Sequence, residues 1–341
     1  MDCSKLNDSS AKKDLSIVYT PLFGSGRDFV LDALEKDGFS QVHLVKKQAG
    51  FDGKFPGLRK PNPEEPEVFR IAEREALQEH ADLMIATDPD SDRIGAGVIC
   101  DSKAFFFTGN QIGALLADFL SRQGSVKGKI MVTTVVTGDL GSRIVTSRGA
   151  TVIHTLTGSK FVCEEMNHME AGEFLLGYEE SHGYIGGMHI RDKDGVLAAM
   201  LLCETAAWHK TQGKTLMDAL EDLYQEYGYY IDEQDSFVFE GAKGAKEMQK
   251  IMARLRSRRG SVFAPLGKPD KILDYEKGVD ELPRSNVLKF FFPNGSWVAV
   301  RPSGTEPKIK FYYCIRGKDQ RQAEDLYEAV QNSVEEFLRT F

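Results

Sequence analysis

From Leu15 to about Lys210 the sequence alternates short apolar runs with longer helix-like stretches, and that alternation constrains the fold more than any other feature. "LSIVYT", "QVHLV" and "ADLMIAT" read as strands, with helices expected in "GSGRDFVLDALEKDG" and over Val68–Gln78 between them. "IGAGVIC" continues the third strand, and "NQIGALLADFLSRQG" closes the unit as a helix. A second round follows: strands in "KIMVTTVV", "TVIHTL" and "EFLLGYEE", and helices in "GDLGSRIVTSRG", "SKFVCEEMNHM" and "DGVLAAMLLCETAAWHKTQG". Such alternation implies βαβ units whose largely parallel or mixed sheets are covered on both faces.

The pattern changes near Tyr229. "DSFVFEG", a basic helix "KEMQKIMARLRSRRG", and then "DKILDYEKG", "NVLKFFF", "SWVAVRPSG" and "PKIKFYYCI" follow in succession. A last helix from about Asp319 places Ala323, Leu326, Tyr327, Val330, Val334, Phe337 and Leu338 on one face. The expected class is α/β: two serial α/β domains and a C-terminal α+β domain. The expected divisions are a polar tail at 1–14, α/β domains at 15–125 and 126–233, and an α+β domain at 234–341. The tail is read as weakly held.

Composition narrows the partners. A net charge of −8 over 341 residues argues against a general nucleic-acid-binding role. Five scattered cysteines without a CxxC pair argue against a disulfide framework or a zinc site and fit a reducing, cytoplasmic setting. "VLAAMLLCETAAW" is interrupted by Glu204 and is too short to span a bilayer, so no membrane partner is expected.

Chemistry concentrates in three loops. In "ATDPDSDRIG" a strand delivers Asp88, Asp90 and Asp92 at alternate positions, followed by Arg93. Carboxylates at i, i+2 and i+4 can converge on a hard divalent cation such as Mg²⁺. Three carboxylates are balanced by that cation together with Arg93, which leaves a neutral seat open to a phosphoryl oxygen. An EF-hand is excluded, because Arg93 and Ile99 stand where Gly and Glu are required. A haloacid-dehalogenase-type phosphatase would need Thr or Val where Asp92 stands. The bland alternative is a turn that favours Asp and Pro.

The second loop, "LLGYEESHGYIGGMHIRDKDG", offers Glu179 and Ser181, two apart and suited to vicinal hydroxyls, and the cations Arg191 and Lys193, suited to phosphate. The third, "VRPSGTEPKIK", gathers Arg301, Ser303, Gly304 and Thr305 between two strands as a phosphate cradle unlike a Walker loop. Each also reads as an ordinary polar turn. "GSGRDF" lacks the third glycine of a dinucleotide fingerprint.

Together, in this order, the three loops resemble the phosphohexomutase superfamily of phosphoglucomutases and phosphomannomutases, from "IVYTPLFGSG" onward. The resemblance implies that Asp88, Asp90 and Asp92 ligate Mg²⁺, that Arg93 contacts a phosphoserine, and that Glu179 and Ser181 bind sugar hydroxyls. "TGSK" resembles the family's specificity loop, which implicates Thr157, Gly158 and Lys160. "RPSGT" resembles its phosphate loop. A hexose 1,6-bisphosphate would be activator and intermediate, and a hexose phosphate the substrate.

The family's first domain carries a serine in a "T-A-S-H-N-P"-like loop. The single Ser-His pair here, Ser181-His182, lies in the sugar loop. The chain therefore reads as domains two to four, inactive alone and completed by a separate first-domain polypeptide. His182 stands where many relatives have Gly or an aromatic residue and is given no role. The alternatives are a non-catalytic, Mg²⁺-dependent sugar-phosphate binding protein and an Asp88-dependent sugar phosphatase.

Overall fold

A computed structural model describes residues 4–170, 172–303 and 307–341. The chain divides into two compact units, Met1–Asp222 and Leu223–Phe341.

The first unit opens with α1 (Ser9–Asp14), β1 (Ser16–Thr20), α2 (Gly26–Asp37), β2 (Gln41–Leu44) and α3 (Arg70–Glu79). β3 (Leu83–Thr87), β4 (Ile94–Cys100), β5 (Lys103–Phe107) and α4 (Gly109–Arg122) follow. Among the described residues these strands form a sheet in the order β2-β1-β3-β4-β5. β1 runs parallel to β2 and β3, whereas β3–β4 and β4–β5 are antiparallel. β4 thus turns back on β3, and the acidic stretch is the tip of a hairpin, not a link to a strand running on. β5 was not anticipated from the sequence: "KAFFF" is apolar without alternation.

The second round gives β6 (Ile130–Thr134), α5 (Asp139–Ser147), β7 (Thr151–Thr155), α6 (Ser159–Met166), β8 (Phe174–Glu179), β9 (Gly183–Ile185) and α7 (Gly195–Lys210). The sheet order is β7-β6-β8-β9, with β9 antiparallel to β8 and the others parallel. Both sheets share one topology at their heart. The chain leaves a central strand, adds a neighbour on one side, then returns to the other side. In open α/β sheets that reversal opens a crevice at the carboxyl ends of the two strands. In the first sheet the crevice lies beyond β1 and β3, where Asp88 follows; in the second it lies beyond β6 and β8, which ends at Glu179.

α7 is buried nearly all round, and its one internal charge explains the start of the chain. The Glu204 side chain has no exposed surface. It accepts from Ser4 Oγ at 2.5 Å, from the Lys5 backbone at 2.9–3.0 Å and from Leu6 N at 3.0 Å. Lys12 Nζ completes its shell at 2.9 Å and reaches Asp37 of α2 at 2.7 Å. Residues 4–14 are therefore held, contrary to the weakly tied tail expected. A buried carboxylate needs partners, and this segment supplies them.

The second unit begins within α8 (Leu216–Tyr227) and continues through β10 (Tyr229–Val238), α9 (Gly241–Arg258), β11 (Lys271–Asp274), β12 (Leu288–Phe291), β13 (Trp297–Pro302), β14 (Lys308–Gly317) and α10 (Gln320–Leu338). Its antiparallel sheet runs β10-β14-β13-β12-β11. α10 buries Ala323, Val330, Val334 and Phe337, members of the face expected from the sequence. Its start is capped by the Asp319 side chain.

The four described cysteines are free thiols. No helix among the described residues is long and apolar enough to cross a membrane.

One buried group sets an acid limit on stability. His209 ends α7, 6% exposed, and neither ring nitrogen has a hydrogen-bond partner among the described residues. Burial is the main cause that lowers its pKa to about 4; Arg122 and Lys214 act the same way, and Asp118 and Asp222 oppose them. The unfolded chain binds this proton near pH 6.5 and the folded chain only near 4, so the contribution is whole above 6.5 and shrinks as pH falls towards 4. Urea denaturation at pH 7 and 4.5 should show His209→Gln reducing the acid-induced loss of stability by about 2 kcal/mol. An equal loss in both proteins would refute this.

Candidate functional site

The acidic loop spans residues 88–93 between the last β3 and first β4 pairs, Thr87 facing Ile94. Asp88 is 7% exposed, whereas Asp90 is exposed and Asp92 half-buried. One oxygen from each of the three carboxylates lies within 4.8 Å of the others. The donor set is all-oxygen, acceptor-only and threefold negative, so the residues present fit a hard dication such as Mg²⁺. Burial raises the Asp88 pKa to about 7; Asp92 and Asp90 push the same way, while the Arg93 backbone N–H, donated at 2.9 Å, opposes them. A dication at the triad would relieve that cost.

Several elements hold the loop in place. The segment after β1 reaches it first: Ser25 donates to the Pro89 carbonyl from its backbone N at 2.8 Å and its hydroxyl at 3.0 Å. Gly24 lies so close that a Cβ there would stand 2.3 Å from Pro89 Cα. Gly24 of "GSGRDF" thus serves a close backbone approach in the first crevice, and Gly26 lies against the Ser91 and Thr87 hydroxyls. The N-terminus of α7 donates from Gly195 N to Ser91 O at 3.0 Å, and Asp194 caps that helix by accepting from Val196 N and Leu197 N.

The loop between β8 and β9 clasps the other side. Arg93 bridges to Gly183 as an isolated antiparallel pair, and Ile94 N donates to the His182 carbonyl at 3.1 Å. His182 Nδ1 returns a hydrogen bond to the Ile94 carbonyl at 3.1 Å, which fixes its tautomer. His182 is buried, and burial lowers its pKa, so the ring is neutral at pH 7. It is a staple between the two loops, a role the sequence did not reveal. Leu22, Phe23, Ser91 and His182 all adopt positive φ, from 47° to 64°. Non-glycine residues rarely do so, and such strain collects where a site is over-determined by its surroundings.

The electrostatics differ from the expected balance. Arg93 Nε lies 3.6 Å from Asp92 and 3.9 Å from Asp88. A second cation joins it: Lys193 Nζ contacts Asp92 at 2.6 Å. Lys193, read from the sequence as a cation suited to phosphate, here pairs with the acidic loop. Glu64 is also present, its carboxylate in close contact with Arg93 Nη1. With a dication, the two cations balance the four carboxylates, and neutrality is kept with one more member of each sign than the sequence indicated.

Glu179 is 5% exposed, and its Oε1 accepts from Gly158 N at 2.8 Å. Burial raises its pKa, while the Gly158 N–H, Lys193 and Arg93 oppose that rise. The "TGSK" loop and the sugar loop therefore meet directly. Thr157 Oγ1 is buried there without a hydrogen-bond partner among the described residues. Glu180 accepts from Thr134 and Thr137 hydroxyls at 3.3 and 3.1 Å, across the second crevice. Ser181 is half-buried, and Lys160 and Arg191 are exposed.

In the second unit, Arg301 and Pro302 end β13, and Ser303 follows directly. Arg301 pairs with Lys310 in register, and Ser303 N donates to Lys308 O at 2.8 Å. Arg301 and Ser303 are half-buried. Gly304 and Thr305 lie outside the described residues.

Comparison with known proteins adds to this geometry. Residues 2–100, 108–227 and 238–333 match the family descriptions "Phosphoglucomutase/phosphomannomutase, alpha/beta/alpha domain II", "alpha/beta/alpha domain III" and "C-terminal domain". A phosphoglucomutase of Staphylococcus haemolyticus is 35% identical over 339 residues, covering 95% of this chain and 62% of the relative. One of Staphylococcus aureus (strain bovine RF122) is 36% identical over 320 residues, covering 89% and 57%. The chain thus spans about three fifths of the length of these relatives. The solved open form of parafusin, a phosphoglucomutase from Paramecium, superposes with a TM-score of 0.72 at 22% identity, covering 98% of this chain and 60% of that one. A putative phosphomannomutase from Thermus thermophilus gives 0.67 at 20% identity, over 96% and 62%. These likenesses establish the fold, and the family matches identify its lineage: the chain belongs to the phosphoglucomutase/phosphomannomutase family.

Proposed function

We propose that the chain supplies the metal, sugar and phosphate loops of a phosphohexomutase that interconverts hexose 1-phosphate and hexose 6-phosphate through a hexose 1,6-bisphosphate. The observation that carries this reading is the carboxylate triad at the end of β3, joined by Arg93 and Lys193 and clasped by the sugar loop. Asp88, Asp90 and Asp92 hold Mg²⁺, which supplies charge neutralisation at the transferring phosphoryl group. The three domains of this reading are 15–125, 126–233 and 234–341.

Each remaining role belongs to a side chain of this chain. Arg93 presents its guanidinium beside the triad and contacts the phosphoryl group carried by a serine. Lys193, held on Asp92, adds a positive charge to the same side of the site. Glu179 and Ser181 accept and donate hydrogen bonds to the sugar hydroxyls, and Thr157, Gly158 and Lys160 orient the two alternative poses of the substrate. The buried, unpartnered Thr157 hydroxyl is suited to such a contact. Arg191 is a cation suited to phosphate, and Arg301, Ser303, Gly304 and Thr305 offer a guanidinium and hydroxyl set matched to a dianion. These groups act by positioning and charge, which is most of what phosphoryl transfer requires of a protein.

In this reading the phosphoryl-carrying serine lies on a first domain that these 341 residues do not include. The chain alone should then give no measurable conversion of glucose 1-phosphate to glucose 6-phosphate with Mg²⁺ and glucose 1,6-bisphosphate. Adding a separately produced first domain of a relative should restore it. Robust turnover by the chain alone would contradict the assignment of the carrier. Failure of the mixture to turn over, with hexose phosphate still bound in the presence of Mg²⁺, would favour a non-catalytic sugar-phosphate binding protein.

The triad is tested by Asp90→Asn. Asp90 is exposed and contributes to the charge cluster but not to the core. Isothermal titration should show Mg²⁺ binding weakened by about tenfold or more, some 1.4 kcal/mol, at unchanged melting temperature. An unaltered affinity would remove the metal assignment.

A further inference from the structure

Glu64 has no place in the roles assigned above, yet it makes the closest contact to Arg93. It belongs to "PNPEEPE", a segment outside the motif loops and distant from them in sequence. The segment is built to stay where it is. Asn62 Oδ1 accepts from Glu64 N at 3.1 Å, Asn62 O accepts from Glu65 N at 3.0 Å, and prolines at 61, 63 and 66 restrict the backbone. The loop also presses on β4 two residues beyond Arg93: a Cβ at Gly95 would stand 2.6 Å from the Pro63 carbonyl oxygen. The Glu64 side chain is 19% exposed and that of Arg93 29% exposed, so their contact is shielded in part from solvent.

Arg93 therefore stands between two sets of carboxylates. Its Nη1 is in close contact with Glu64 Oε1, while its Nε remains 3.6 and 3.9 Å from Asp92 and Asp88, beyond hydrogen-bond range. Guanidinium groups prefer close, two-pronged contact with carboxylates. Without Glu64 the nearest such partners are Asp88 and Asp92. A guanidinium closing on them would occupy oxygens a cation needs and would present an uncompensated positive charge to that cation.

We propose that Glu64 is a positioning residue of the metal seat: it holds the Arg93 guanidinium off the Asp88–Asp90–Asp92 carboxylates and compensates its charge, leaving those oxygens open to a divalent cation. This rests on the metal reading given above. It explains how an arginine can adjoin a cation seat without competing for it, and it assigns a function to a loop that carries no recognised motif.

The test is Mg²⁺ titration of the whole 341-residue chain in four forms: unaltered, Glu64→Gln, Arg93→Met and the double variant. Glu64→Gln keeps shape and removes charge, and should weaken Mg²⁺ binding by about tenfold. In the Arg93→Met background the same change should cost no more than about twofold, because the group Glu64 restrains is gone. Melting temperatures measured in parallel confirm folding. Should Glu64→Gln prove unfolded, Glu64→Asp, with the charge drawn back by one methylene, takes its place and should also weaken binding only when Arg93 is present. If the unaltered chain binds Mg²⁺ and the Glu64 variant binds equally well, this inference fails and the metal reading stands. Equal weakening in both backgrounds also overturns it, since Glu64 would then act on the cation without Arg93. No Mg²⁺ binding by the unaltered chain would overturn the metal reading and this inference with it.

Discussion

Three carboxylates gathered within 4.8 Å repel one another, and the first unit is organised around making that arrangement tolerable. The tip of a two-stranded hairpin has no rigidity that would hold such a cluster. Rigidity comes from outside: from Ser25 and the close approach at Gly24, from Gly195 at the start of α7, and from the backbone bridge to Gly183. Charge is supplied from outside as well. Lys193 reaches Asp92 from the segment leading into α7, and Glu64 steadies Arg93 from a proline-rich loop. Left without a cation, Asp88 has a pKa near neutrality, chiefly because it is buried.

The two sheets of this unit repeat one solution. Each reverses its strand order about a central strand, and each places acidic residues at the carboxyl end of the strand that follows the reversal: Asp88 after β3, Glu179 and Glu180 around the end of β8. Partners from across the crevice hold each acidic stretch: Ser25 donates to the Pro89 carbonyl next to Asp88 in one case, and the Thr134 and Thr137 hydroxyls donate to Glu180 in the other. His182 then joins the two crevices by exchanging hydrogen bonds with Ile94. The acidic loop and the loop after β8 are thus parts of one packed body, and the Gly158–Glu179 hydrogen bond ties the "TGSK" segment to it.

Much of this could be read from the chain because it is written locally. Alternation fixes the α/β class, and aspartates at alternate positions after a buried strand mark a cluster whatever surrounds it. What escaped was long-range. The pairing of Lys193 with Asp92 was not legible because the two are remote in sequence. Glu64 sat in what read as a loop of prolines and glycines, and no local pattern distinguishes an acid that meets an arginine from one that meets water. Glu204 read only as an interruption of an apolar run, yet its burial organises residues 4–14. The glycines of "GSGRDF" were judged against a nucleotide motif; Gly24 is crowded by the Pro89 backbone and Gly26 by the Ser91 and Thr87 hydroxyls, which only the folded chain reveals. β5 and the three-residue β9 carry too little pattern to be told from loop.

The account turns on the acidic loop being the seat of a divalent cation. Crystals of the chain grown with Mn²⁺, which takes the same oxygen ligands as Mg²⁺ and scatters anomalously, test it most directly. The account predicts one dominant anomalous peak within coordination distance of Asp88, Asp90 and Asp92 together, with the Arg93 guanidinium still on Glu64. Density elsewhere, or none at the triad when Mn²⁺ is in excess, would contradict it.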